Sequence, residues 1–122
     1  MHLRVIIEQK SHLYLFLIYF LEMYHQKEYP MIESKVRKYI VVDGIVQGVG
    51  FRWHVQRVAD ACHLTGWVSN RYDGKVEMEV QGFQEDVDRF CRHILRGNGF
   101  AQVMSYEEEK RDVISELDFR IR

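Results

Sequence analysis

Apolar residues change their spacing several times between Lys35 and the C-terminus, and each change predicts an element. "VRKYIVVDGIV" is rich in β-branched residues and too short for a helix, so it reads as a mostly buried strand running to Gly44. Past a glycine-rich stretch, Phe51, Val55, Val58, Ala59 and Cys62 recur at helical spacing, which predicts a helix ending near Leu64. "TGWVSN" is a short strand and "RYDG" carries the Asp-Gly signal of a tight turn. In "KVEMEVQG", Val76, Met78 and Val80 alternate with Lys75, Glu77, Glu79 and Gln81, giving a strand with one buried and one wet face.

A second helix follows, because Val87, Phe90, Cys91, Ile94 and Leu95 fall on one stripe, Glu85 and Asp86 sit in the first turn and Gly97 can stop it. "AQVMSYEEEKR" predicts a fourth strand with a charged, edge-like end, and Leu117, Phe119 and Ile121 alternate with charges in a short terminal one. Strand, helix, strand, strand, helix, strand is the order of an α+β fold. Its simplest form is the ferredoxin-like split βαβ arrangement (βαββαβ), an antiparallel sheet with two helices on one face and here a short terminal strand.

Residues 1–30 break this pattern, holding none of the eight glycines and ending at the single proline, Pro30. The run "LYLFLIYFL" from Leu13 to Leu21 is shorter than the roughly 20 apolar residues that span a bilayer. It has the length of a signal-peptide core, yet "EMYHQKEYP" after it offers no small-residue cleavage site. Residues 1–32 are therefore expected to be an N-terminal extension of unknown role, perched before a domain at 33–122. Either they are appended upstream of a start at Met31, or they form a helix that packs on the domain or a partner.

Composition narrows the partners. With 17 basic and 18 acidic residues the net charge is -1, so no global field draws nucleic acid or an anionic membrane, and any anion must be held locally. "KVEMEVQG" lacks the aromatic and basic positions of an RNA-binding sheet on this topology. Cys62 and Cys91 lie on the two helical stripes and read as buried thiols in a reducing compartment, the cytoplasm, although facing helices leave a pairing open. His54, His63 and His93 show no metal-ligand spacing with them. "EEEK" at 107–110 reads as a solvated edge, since strand neighbours point to opposite faces. Trp53 and Trp67 fit either core or rim.

The candidate chemistry lies in "GIVQGVGFR", residues 44–52. Gly48 and Gly50 can adopt positive φ, which lets consecutive main-chain N–H groups converge as an anion nest, and the loop leads into a helix N-terminus, where the dipole also favours an anion. Arg52 falls in the first helical turn, where a cation is unfavourable unless an anion offsets it. Its guanidinium can grip two phosphate oxygens at once. The residues alone leave a second reading open, a tight strand-to-helix turn with Arg52 solvated. No Gly-Lys-Ser/Thr follows, so the loop is not that of a nucleoside triphosphatase, and its glycine spacing is not a dinucleotide fingerprint.

"GIVQGVGFR" followed by "GWVSN" resembles the acylphosphatase family, with its Gly-x-Val-Gln-Gly-Val-x-Phe-Arg signature and Gly-Trp-Val-x-Asn strand. The resemblance covers roughly Lys35 to Arg122. It implies a hydrolase that splits the carboxyl–phosphate bond of small acyl phosphates, with inorganic phosphate as product or inhibitor and no cofactor. It implies that Val46, Gln47, Gly48, Val49, Gly50 and Phe51 bind the phosphoryl oxygens through main-chain N–H groups, that Arg52 is the phosphate-binding catalytic arginine, and that Asn70 positions the attacking water. Many members carry an aromatic residue after the position of Arg122. The alternative on the same fold is a regulatory module that binds phosphate without hydrolysing it. A monomer is expected unless residues 1–32 mediate association.

Overall fold

The computed structural model describes residues 17–21 and 35–122. Residues 17–21 are helical, and the remainder of the expected N-terminal extension, with its start at Met31, lies outside the described residues. Among the described residues no helix is long and apolar enough to cross a membrane. From Val36 onward the order is β1 (Val36–Ile45), α1 (Phe51–Ala61), β2 (Thr65–Asn70), β3 (Val76–Gly82), α2 (Gln84–Leu95), β4 (Gln102–Arg111) and β5 (Phe119–Ile121). These elements match the ferredoxin-like α+β arrangement.

Side-chain alternation explains how the layers close. Ile40 and Val42 of β1, Val68 of β2 and Val76, Met78 and Val80 of β3 share one face of the sheet, where they meet Phe51, Val55 and Ala59 of α1 and Val87, Phe90 and Ile94 of α2. Both helical stripes run as their spacing predicts, except that Leu95 is exposed and Cys91 and Val58 are only partly buried. α2 ends at Leu95, so the stripe has rotated past the sheet by its last turn.

Helix α1 stops at Ala61, earlier than its stripe suggests. His63 takes φ 58°, the N–H of Leu64 reaches back to the Ala59 carbonyl and that of His63 to Asp60, which is a Schellman cap with histidine in the place glycine usually fills.

The sheet order is β4-β1-β3-β2-β5. Its first four strands are antiparallel, as expected, but β5 joins β2 in parallel, with Gly66 opposite Phe119 and Val68 opposite Ile121. The sheet is therefore mixed. Alternating directions make β4 run opposite to β2, so a chain that leaves the end of β4 and crosses under the sheet to its other edge must return in the direction of β2. Leu117, expected in the terminal strand, belongs to that crossing segment and is almost wholly exposed. β4 is an edge strand whose Glu107, Glu108, Glu109 and Lys110 face solvent, the solvated edge expected of "EEEK".

One buried cation pins the crossing segment. Arg37 sits on the sheet face away from the core and is 2% exposed. Its Nε donates to Glu79 at 2.8 Å and its Nη1 to Glu116 at 2.7 Å and to Gln81 at 3.1 Å. Gln81 in turn donates to the Ile114 carbonyl and accepts from the Ile114 N–H. With a further bond from Arg37 Nη2 to Glu116 at 3.3 Å, the strands hold residues 114–116 by four hydrogen bonds. Removing the guanidinium leaves two carboxylates uncompensated, so Arg37→Ala should lower stability by about 3 kcal/mol, the lower end for a broken buried pair because both glutamates keep some water. Urea denaturation reads this directly, and a loss well under about 1 kcal/mol would show that the crossing segment is held by other contacts.

Candidate active site

Helix α1 begins without a side-chain cap. Its N-cap is Gly50, at φ 74° and ψ 18°, and its first turn holds no acidic residue. Gly48 has a similar φ of 73°, so the loop reverses twice between β1 and the helix. Among the described residues the main-chain N–H groups of Gln47, Gly48, Val49, Gly50 and Phe51 find no main-chain or side-chain acceptor. A cluster of unused donors at the positive end of a helix favours an anion. A Cβ added at Gly48 would meet nothing within 4 Å, which leaves the loop open on its outer side.

These groups line a cavity of about 180 Å³. Val46, Gly48, Gly50 and Phe51 form its floor, and Arg52 and Asn70 enter from the helix and from the end of β2. Five of the seven positions expected in 46–52, all but Gln47 and Val49, account with Asn70 for most of the lining; Trp53 and Ile121 supply the rest. Arg52 Nη1 donates to the main-chain oxygen of Arg122 at 2.9 Å, which leans the guanidinium toward β5 beside the cavity. The Asn70 side chain is exposed and its carboxamide makes no hydrogen bond among the described residues. It is free to orient a small molecule.

Gln47 and Val49 act from behind. Gln47 Nε2 donates to the carbonyls of Arg71 and Lys75, both at 2.8 Å, and so ties the loop to the turn that follows Asn70. That turn is the one expected at "RYDG", closed by Arg71 N–H to the Lys75 carbonyl and by Asp73, which accepts from Lys75 N–H and from Arg71. Val49 packs against the core, and its carbonyl accepts from Asn98 Nδ2 at 2.8 Å, while Asn98 Oδ1 accepts from the N–H groups of Phe100 and Ala101. Asn98 is a clamp that sequence reading missed, since an asparagine between two glycines is ordinary turn composition.

Trp53 resolves as rim, 58% exposed, with the Arg57 guanidinium stacked 4.7 Å from its ring centre. Trp67 is half-buried under Arg122, whose guanidinium lies 4.4 Å from its ring. Behind Trp53, burial and the positive charges of Arg57 and His93 hold the His54 imidazole below its usual range. Cys62 and Cys91 are both free thiols. Among the described residues no group of three or more His, Cys, Asp or Glu could hold a metal ion.

Comparison with known proteins covers this whole region. Residues 38–121 match the acylphosphatase family. The acylphosphatase of Moorella thermoacetica is 44% identical over 89 residues, which cover 73% of this chain and 96% of that protein. That of Geobacillus kaustophilus is 50% identical over 86 residues, 70% of this chain and 92% of the relative. Among solved structures, an acylphosphatase from Coxiella burnetii superposes with a TM-score of 0.70 at 32% identity, covering 73% of this chain and 94% of that one.

The Gln47 tether generates a prediction that depends only on geometry. Gln47→Ala removes two hydrogen bonds between loop and turn, so stability should fall by about 1 to 2 kcal/mol. Orthophosphate affinity, measured by calorimetric titration, should weaken by roughly tenfold or more as the donors lose their fixed spacing. An unchanged affinity would mean that the loop keeps its shape without this link.

Proposed function

The chain belongs to the acylphosphatase family and is a hydrolase of acyl phosphates, and from that premise we propose how its residues divide the work. The main-chain N–H groups of Val46 to Phe51 cradle the phosphoryl oxygens. Arg52 grips two of them and neutralises charge on the transferring group, and Asn70 holds the attacking water in line with phosphorus. One observation carries this reading: Arg52 and Asn70, from a helix and a strand eighteen positions apart in the chain, meet the glycine loop in a single cavity of about 180 Å³.

The chemistry asks for no more than these groups. Water oxygen bonds to phosphorus while the bond from phosphorus to the acyl oxygen breaks, and the electron pair leaves on a carboxylate. The conjugate acid of that leaving group has a pKa near ~4 to 5, so it departs without a proton from a general acid. A loose, metaphosphate-like transition state demands little of the nucleophile, and the water proton passes to the phosphate formed. The carboxamide oxygen of Asn70 accepts one water hydrogen and so aims an oxygen lone pair at phosphorus. Free thiols at Cys62 and Cys91 support a cytoplasmic setting, and we read residues 33–122 as the catalytic domain, acting as a monomer.

Activity against a simple acyl phosphate tests each role. Arg52→Ala should lower kcat/KM by on the order of 10³-fold or more, as for other arginines that meet transferring phosphoryl groups. Near-normal turnover would remove Arg52 from the mechanism. Asn70→Ala should lower kcat by roughly 10²-fold with competitive inhibition by orthophosphate retained. Loss of that inhibition in a folded variant would instead make Asn70 a ligand of the phosphate. Excess chelator should leave turnover unchanged, and a dependence on added divalent metal would contradict the division proposed.

A further inference from the structure

The face of α1 that turns away from the glycine loop meets α2 across a second cavity, of about 470 Å³. Its walls carry two guanidinium groups, Arg57 from α1 and Arg89 from α2, and two imidazoles, His54 and His93. Val58 and Ala61 supply an apolar side. The two guanidinium groups give the groove a positive sign in a chain of net charge -1, and nothing in the proposed hydrolysis uses it. The one carboxylate paired within it is Asp86, held by Arg89 at 2.6 Å along α2. Arg57 has no carboxylate partner among the described residues, only the Trp53 ring.

The imidazole of His54 points the same way. Its Nε2 is buried and has no hydrogen-bond partner among the described residues, an arrangement that costs free energy until some group supplies the missing partner. Burial first, and then the neighbouring charges of Arg57 and His93, hold the pKa of that ring below its usual range.

We propose that the groove between α1 and α2 is a second anion site, separate from the glycine loop, that takes a diphosphate group. Two planar guanidinium forks on different helices can each grip a phosphate bidentately, and a groove of about 470 Å³ has room for two linked phosphates. The diphosphate is either inorganic pyrophosphate or the end of an organic molecule whose body rests on Val58 and Ala61. Because Arg57 stacks on Trp53, which lines the catalytic cavity, a ligand that draws Arg57 into the groove also frees the indole at the catalytic rim.

The test is calorimetric titration of the full chain with pyrophosphate and, in parallel, with a nucleoside diphosphate, each in saturating orthophosphate to fill the glycine loop. Binding should persist under orthophosphate and in Arg52→Ala, and should weaken at least about tenfold in the double variant Arg89→Gln, His93→Gln, whose acyl-phosphate turnover stays at the wild-type level. Both residues are on α2 and neither lines the catalytic cavity, and Arg57→Gln gives a second reading should the double variant lose its circular dichroism. A tighter nucleoside diphosphate assigns the apolar wall to an organic body, and equal affinities assign the site to pyrophosphate. Absence of binding at millimolar pyrophosphate overturns the proposal. So does binding that orthophosphate or Arg52→Ala abolishes and the double variant keeps, since the diphosphate then occupies the catalytic loop.

Discussion

Two hydrogen bonds from one carboxamide set the distance on which the active site depends. Gln47 spends both of its amide hydrogens on the carbonyls of Arg71 and Lys75, and so couples the glycine loop to the turn immediately after Asn70. The glycine loop belongs to the connection between β1 and α1, whereas Asn70 belongs to the end of β2, and β1 and β2 are not neighbouring strands. β3 lies between them. Without a direct link, loop and strand end would each move with its own connection, and in-line attack tolerates little error in angle or distance. Asn98 performs the same service on the other flank, holding the Val49 carbonyl from the turn before β4.

The rest of the fold can be read as a rigid frame for those clamps. On one face, apolar side chains from three central strands lock α1, and so fix where its uncapped N-terminus points. On the opposite face, Arg37 and Gln81 fasten the segment that carries the chain across to β5. The sheet thus uses apolar packing where it holds helices and a satisfied polar network where it holds an irregular segment, whose own main-chain groups need partners. The arginines are likewise partitioned: Arg52 lines the cavity at the glycine loop, while Arg57 and Arg89 line the groove behind it with two histidines.

Local signals made most of this legible in the sequence. The alternation of Val76, Met78 and Val80 survives as the buried face of β3, and the motif residues Arg52 and Asn70 line one cavity. What escaped is non-local. Nothing in "DFRIR" says which sheet edge β5 will join, and only the crossing beneath the sheet from β4 makes it parallel to β2. Arg37 looks like a wet position of a strand, because its burial is imposed by a segment far along the chain. Asn98 lacks any pattern of its own. His63 is similar, a residue placed in a left-handed conformation that composition would assign to glycine.

Pairing of β5 with β2 also bears on how the enzyme is born. Ile121 walls the cavity and the main-chain oxygen of Arg122 receives Arg52 from 70 positions earlier. A ribosome adding about 5 to 20 residues per second therefore releases the arginine roughly 4 to 14 seconds before its anchor exists. During that interval the nascent chain can assemble its loop and helix but not the finished pocket, which waits for β5 to pair with β2.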